Sequence, residues 1–534
     1  MNALAFDMPF AADAFPGGNG EPYDLGTNEL LARQARQESN ARSYPRRIPL
    51  ALRRARGIHV EDVEGRVFID CLAGAGSLAL GHNHPVVVAA MRQVLADELP
   101  LLTLDLTTPV KDRFVQDLLS VLPPSFAAKA KVQFCGPTGA DAVEAALKLA
   151  RIATGRRNVL GFQGGYHGMT MGALALMGNR GPKQAMDGLF ANAHFLPFPY
   201  DYRCPFGVGG AKAVELGLNL IENLLGDPEG GVLPPAAIIA EPVQGEGGVI
   251  PAPPAWLAGL AAAARKAGVP LILDEVQCGF ARTGRMFAFE HAGIEPDILV
   301  LSKAIGGSLP LSVVVYREEL DCWRPGAHAG TFRGNQMAMA AGSATLRYIR
   351  EEGLAEHAAE MGLRLAGRLA ELQRLRPQIG DVRGLGLMQG MELVDPDGPP
   401  DRMGRPPADS ELAGRLQREC LRRGLIIELG GRHGAVVRFL PPLIIGPKRR
   451  VPYSCPWPIN ISGMSWGALS AEAVAALSSG AKLANVHMLT GEGGLTPYHL
   501  NGVTKRVTID QVFHYYKALI GWNLGMRRGA RPVK

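Results

Sequence analysis

The chain has 534 residues, of which 47% are hydrophobic and 20% charged. That length exceeds one ordinary domain, the balance is that of a globular protein, and no run nears the ~20 unbroken apolar residues a membrane helix needs. The net charge of +6 is local: residues 447–534 hold 11 Lys and Arg against 3 Asp and Glu, and the rest of the chain holds 45 against 47, so the main body carries no nucleic-acid footprint.

Residues 1–26 contain Asp7, Asp13, Glu21 and Asp24 but no Lys or Arg. A secretory leader needs a basic start and an apolar core, so we expect instead a flexible extension over 1–27. The seven cysteines (Cys71, Cys135, Cys204, Cys278, Cys322, Cys420 and Cys455) stand singly. An odd count without a Cys-x-x-Cys pair speaks against a zinc site or a disulfide framework and fits a reducing cytoplasm.

Residues 28–75 read as a helical stretch and then short strands, ending in GRVFIDCLAG. Apolar runs then alternate with helical patterns. Residues 131–136, 158–162, 236–243, 270–277, 298–303 and 311–316 read as strands, and 140–153 as a helix. The runs IIAEPV, LILDEV and ILVLSK begin apolar on both faces and carry a charge late. Buried strands of a parallel sheet look like this when their C-terminal ends carry a site. Residues 351–375 form a long amphipathic helix. Residues 379–394 look like strands with glycine turns, 395–407 like an exposed loop, 410–423 like a helix and 435–440 like a strand. Four prolines and three successive basic residues mark a boundary in 447–458. The expected organisation is therefore a large α/β domain over 76–345, a small α/β domain built from 28–75 and 346–446, and a separate segment over 447–534.

Two charged residues end buried runs. Asp274 follows PLIL, and a carboxylate there is costly unless it meets a cation or a donor. A helix cap or a structural ion pair would satisfy it. So would a protonated pyridine nitrogen, which such a carboxylate keeps charged so that the ring withdraws electrons. Lys303 ends ILVLSK and precedes AIGGSLP. Its amine either snorkels to solvent or is desolvated, and a neutral amine attacks an aldehyde to form a Schiff base. Gly306 and Gly307 let the chain turn tightly beyond it. The run CGPTGADAVEAALKLAR passes from strand through a Gly-rich turn to a helix that starts at Gly139 and Ala140. Free N–H groups there suit an anion, although Thr138 or Asp141 would equally serve as a plain cap. In GGYHGMT, Tyr166 and His167 lie between glycines, placed either to cover a planar ring or to pack a turn.

Taken together, GYHGMT (165–170), EPVQGEGG (241–248), LDEVQCGFARTG (273–284), LSKAIGG (301–307) and GTFRGNQ (330–336) resemble the class III aminotransferases of the ornithine and GABA type. The likeness covers roughly residues 28–446. It implies the pyridoxal-phosphate (PLP) transferase type I fold, α/β in class, with a large and a small domain, pyridoxal 5'-phosphate as cofactor, no metal, and a homodimer or higher homo-oligomer. By this resemblance Lys303 is the Schiff-base lysine and proton shuttle, and Asp274 pairs with the pyridine nitrogen. Tyr166 stacks on the ring with His167 beside it, Val276 packs on it, and Gln277 lies near its hydroxyl. Gly139 and Ala140 bind the phosphate, joined by Thr331 from the partner subunit. Glu241, grouped with the catalytic residues, and Glu246 shape the substrate side, and Arg438 grips the substrate carboxylate with a planar guanidinium. Met169 stands where GABA-type members have Arg. Glu246 should then lack the ion-pair partner it has there, which counts against GABA as substrate.

A narrower set (residues 38–57, 104–115, 135–151 and 331–342) resembles the L-2,4-diaminobutyrate:2-oxoglutarate branch. This implies ping-pong transfer of an amino group between glutamate and aspartate 4-semialdehyde. The alternatives are another ω-aminotransferase of ornithine, lysine or GABA type, or a fusion with flavin-linked glutamate synthase activity. The last is raised by ISGMSWGALS (461–470) and TGEGG (490–494), which resemble part of the glutamate synthase flavin-binding domain. A (β/α)₈ barrel needs about 200 residues or more, so we expect 447–534 to be an incomplete extension that binds no flavin.

Overall fold

The computed structural model describes residues 22–26, 28–184, 186 and 192–446. The segment 447–534 and most of 1–27, with the expectations attached to them, lie outside the described residues. Contacts divide the chain into two units.

The described part of the first unit spans 22–71, 415–427 and 445–446. Its sheet runs Leu52–Arg56, His59–Asp62 and Val67–Asp70 as an antiparallel meander, with Leu425–Ile426 added parallel to Val67–Asp70. The last two strands of the meander are buried throughout, which agrees with VFID carrying no exposed face.

The second unit, 72–414 with 428–444, is organised on a seven-stranded sheet. In chain order its strands are β1 (Ala130–Phe134), β2 (Val159–Phe162), β3 (Ala193–Leu196), β4 (Ala237–Ala240), β5 (Leu271–Asp274), β6 (Ile298–Leu301) and β7 (Val313–Arg317), arranged β1-β7-β6-β5-β4-β2-β3. Every residue of β4, β5 and β6 is buried, as runs with no polar alternation require when both faces of a sheet are covered. Helix α1 (Gly139–Thr154) covers one face, burying Val143, Ala146, Leu147 and Ala150 in one cluster with Ile272, Ile298, Val300 and Val314.

The sheet is not wholly parallel, as the strand pattern led us to expect. Strand β7 runs antiparallel to both β6 and β1. Only residues 302–312 link β6 to β7, and a parallel return needs a crossover of roughly a dozen residues or more. Link length therefore reveals a direction that the apolar pattern cannot.

Helices α2 (Gln336–Glu351) and α3 (Leu354–Leu375) follow, the second matching the amphipathic helix read over 351–375. A four-stranded sheet closes the unit: β8 (Ile379–Leu385), β9 (Met388–Leu393), β10 (Glu428–Gly430) and β11 (Val436–Phe439), in the antiparallel order β8-β9-β11-β10. Among the described residues no helix is long and apolar enough to cross a membrane.

Trp256, 0% exposed on helix Pro254–Lys266, meets Phe162 and Phe198 edge-on at centroid distances of 5.0 and 5.4 Å. Trp256→Ala should cost about 3–5 kcal/mol of unfolding free energy, read from denaturant midpoints. A loss under about 1 kcal/mol would mean that the cluster collapses around the gap.

Candidate active site

Strands β5 and β6 lie side by side and parallel, with Asp274 opposite Val300, so their C-terminal ends open together. Asp274 is the last residue of β5 and is buried. Lys303 comes two residues beyond β6 and opens a 3₁₀ turn over Lys303–Gly306. Its backbone is left-handed, φ +54°, a conformation that costs a non-glycine residue about 1–3 kcal/mol and persists only where the surroundings enforce it. Here the enforcement is packing. Gly307 is also left-handed, and a Cβ there would stand 2.5 Å from the Ala341 carbonyl on α2, so only glycine lets the lysine turn seat against that helix.

Asp274 is held from two sides. Its Oδ1 accepts the Val276 N–H at 3.1 Å, and its Oδ2 meets Nδ1 of buried His167 at 2.8 Å. Burial opposes charge on His167, but the hydrogen bond and the negative charges of Asp274 and Glu241 outweigh it, so the pKa of His167 lies above its ordinary value. Glu241 is tied differently. Its Oε1 accepts the Tyr166 N–H at 2.8 Å and its Oε2 the Gly245 N–H at 3.1 Å, and burial pushes its carboxyl up to about 7. Both of its oxygens therefore brace backbone at the pocket wall.

The loop that carries Tyr166 and His167 rests on the start of α1. Gly168 (φ +124°) makes this possible, because a Cβ there would fall 2.9 Å from the Ala140 Cα. At that helix start Asp141 Oδ2 accepts the Thr138 N–H and hydroxyl at 2.9 and 2.7 Å. The cap read in the sequence is thus present, while the first-turn N–H groups of Gly139 and Ala140 have no intrahelical acceptor.

These elements surround a cavity of about 710 Å³, a volume within the range of small-molecule sites. Ten of the twelve residues singled out by sequence line it: Gly139, Ala140, Tyr166, His167, Glu241, Glu246, Asp274, Val276, Gln277 and Lys303. Burial lowers the pKa of Lys303, against the opposing charges of Glu246 and Asp274. Gln277 donates from Nε2 to the Ala75 carbonyl at 3.2 Å, and its Oε1 is buried with no hydrogen-bond partner among the described residues. Met169 is 56% exposed at the cavity wall.

Arg438 does not line the cavity but reaches it through Glu246, whose Oε1 accepts from Nη1 at 2.8 Å. Glu246 therefore does not lack an ion-pair partner, as the Met169 substitution led us to expect. The cation comes from β11 instead of from the loop after His167. Thr331 lies elsewhere, on the turn Thr331–Gly334, lining a separate hollow of about 1040 Å³ with Lys111 and Arg333. Glu428 is a neighbour that the sequence reading missed. It faces Arg438 across β10 and β11, with Oε2 2.8 Å from Nη2. The signal was available: ELGGRHGAVVR reads as two short strands around glycines, which sets a strand-start Glu opposite a strand-end Arg.

Residues 40–449 match the family model for aminotransferase class-III, and residues 444–514 match a conserved region in glutamate synthase. The chain is 59% identical over 415 residues to a diaminobutyrate--2-oxoglutarate aminotransferase of Rhizobium meliloti, covering 78% of this chain and 88% of that protein. It is 54% identical over 420 residues to the protein of the same name from Haemophilus influenzae, covering 78% and 91%. Among solved structures, an amine transaminase from an uncultivated Pseudomonas species in its PLP-bound form matches with a TM-score of 0.67 and 30% identity, over 77% of this chain and 94% of that one.

Proposed function

This chain belongs to the class III aminotransferase family, and from that premise we propose that it transfers an amino group between glutamate and aspartate 4-semialdehyde, yielding 2-oxoglutarate and L-2,4-diaminobutyrate, with pyridoxal phosphate as cofactor. The observation that carries the reading is one cavity that joins Lys303, Asp274 and Glu246, with a buried arginine paired to that glutamate behind it.

The residues present fit the cofactor. Gln277 Oε1 is a buried acceptor in want of a donor, which the ring hydroxyl would supply. A Cβ at Gly139 would sit 2.9 Å from the Val276 side chain, so the glycine keeps open the space between the helix start and the valine that a ring and its phosphate would fill. When bound, the cofactor supplies an aldehyde for amine exchange and a ring that withdraws electrons.

This chain's residues do the rest. Asp274, steadied by His167, would keep a ring nitrogen protonated. Lys303 Nζ, its charge disfavoured by burial, would hold the bound aldehyde as an amine and, once displaced, accept the α-proton of the amino donor. The first-turn N–H groups at Gly139 and Ala140 hold the phosphate. Arg438 takes the donor's α-carboxylate when Glu246 gives way, and Glu246 covers that charge for substrates that bring no carboxylate to it. Tyr166 and Val276, which both line the cavity, would pack against the ring.

A homodimer is part of the reading, with Thr331 completing the partner's phosphate site. In support, Thr331 stands apart from the Lys303 cavity and shares its hollow with Leu104, and Leu102, Leu104, Leu106 and Phe332 on the two segments there are 40–70% exposed. The segments that carry them are joined by the bridge between Leu102 and Asn335 and by the Thr103 N–H to Gly334 carbonyl bond, which makes an apolar patch of the kind that subunits cover. A cytoplasmic setting is supported by six described cysteines, none of them paired.

The decisive assay is a panel of amine donors with 2-oxoglutarate. Diaminobutyrate should give the highest kcat/KM, with ornithine lower by about tenfold or more, since it is one methylene longer and a methylene is worth roughly 1–3 kcal/mol in a fitted pocket, and GABA lower as well, since it lacks the α-amino group. Ornithine outpacing diaminobutyrate would overturn the substrate assignment and leave the transaminase reading intact.

A further inference from the structure

We propose that Glu428, paired in register with Arg438, is a specificity-determining residue that sets how tightly Arg438 holds the carboxylate of a dicarboxylic substrate. The inference rests on the reading of Arg438 given above.

Arg438 is wholly buried and makes ion pairs with both Glu246 and Glu428, each at 2.8 Å. The two carboxylates differ in freedom. Glu246 lies in the turn between Gln244 and Ile250, its side chain is 35% exposed, and it lines the cavity. Glu428 opens strand β10 as the direct partner of Arg438 on β11, and its side chain is 6% exposed. An incoming substrate carboxylate can therefore displace Glu246, but it has no route to displace Glu428.

Arg438 consequently never meets substrate as a bare cation. With Glu246 displaced, one guanidinium serves two carboxylates, Glu428 and the substrate's, and the cluster carries one net negative charge. Like charges around a shared cation repel, and in a dehydrated site the repulsion is felt strongly. The grip on glutamate and 2-oxoglutarate is thereby loosened relative to that of a lone arginine. This suits a site that must release one dicarboxylate before the second substrate enters. The apolar isostere of this arrangement would hold the keto acid product longer.

The test uses Glu428→Gln in the cofactor-loaded full chain. Glutamine keeps the shape and one acceptor oxygen while it removes the charge. Calorimetric titration with glutarate, a five-carbon dicarboxylate bearing neither amine nor keto group, should show binding roughly tenfold tighter than wild type. The KM values for glutamate and 2-oxoglutarate should fall with it, while the KM for diaminobutyrate changes less. Glu428→Ala, which loses the acceptor as well, should bind glutarate more weakly than the Gln variant. If the Gln variant fails to fold, Glu428→Asp, which withdraws the carboxylate by one methylene, should shift glutarate affinity in the same direction. Unchanged or weaker glutarate binding in the folded Gln or Asp variant would mean that Glu428 only positions the arginine, and the proposal would fall. Glutarate carries no amine, so the result stands even if diaminobutyrate proves not to be the amino product.

Discussion

Lys303→Ala should abolish turnover, lowering kcat by at least about 10⁴-fold, because one side chain supplies both a nucleophilic amine and a positioned proton carrier. The structure gives no understudy at that point. Lys303 lies between the side chains of the cavity wall and the turn that follows β6, and its left-handed backbone fixes where the amine emerges. Single-turnover mixing of cofactor-loaded enzyme with glutamate checks the expectation. Wild type should lose its visible absorbance within the mixing experiment, whereas the alanine variant should lose it slowly or not at all. Arginine at this position should fail equally, since its guanidinium stays protonated and cannot act as a base. A Lys303→Ala enzyme with more than a few per cent of wild-type activity would remove the basis of the whole assignment.

The next largest effect belongs to Asp274→Ala, with an expected fall in kcat of about 10³-fold, in the range seen when a preorganised charge is taken from a dry site. Two consequences of the substitution add up. The ring nitrogen loses the charge that keeps it protonated, and His167 loses the partner it meets at 2.8 Å. The pKa of His167 is raised because Asp274 and Glu241 outweigh burial. Without Asp274 the causes that raise that pKa are largely lost, and His167 has no charge with which to replace the missing carboxylate. Asp274→Asn should keep the fold and the Val276 contact yet lose nearly as much rate, which separates charge from shape. If the Asn variant kept more than about a tenth of wild-type kcat, hydrogen bonding rather than charge would be what the site requires.

Much of this was legible in the sequence because the physics is local. LILD and ILVLSK are apolar on both faces until the last residues, and a charge placed there needs a partner, a path to solvent or a site. Both residues were picked out by that argument, and the structure sets Asp274 at the end of β5 and Lys303 two residues past the end of the neighbouring β6. The direction of β7 was not legible in its composition, since VVVY reads the same either way, and the information sat in the short link before it. The Arg438 cluster was harder still. Glu246 and Arg438 are 192 positions apart, and no periodicity joins a turn in one half of the chain to a strand in the other. The resemblance named both residues but suggested that Glu246 had lost its cation, because it followed the substitution at Met169 and not the geometry. Glu428 was missed for a different reason. Its partner is fixed by hairpin register, which has to be drawn out explicitly before it can be seen.

The parallel pairing of β5 and β6 acts as a ruler. Asp274 and Lys303 issue from neighbouring strands, and the spacing of neighbouring strands is fixed by backbone hydrogen bonds at about 4.8 Å, whatever side chains the strands carry. On the proposed reading, the strand ends from which the ring's carboxylate partner and the working amine emerge are thus held at a distance written in the main chain. Substitutions at the cavity wall around Met169 and Glu246, and behind it at Glu428, leave that spacing untouched. Redesign of substrate scope is therefore best confined to those walls, because any change that shifts one strand against the other resets the scale on which the chemistry depends.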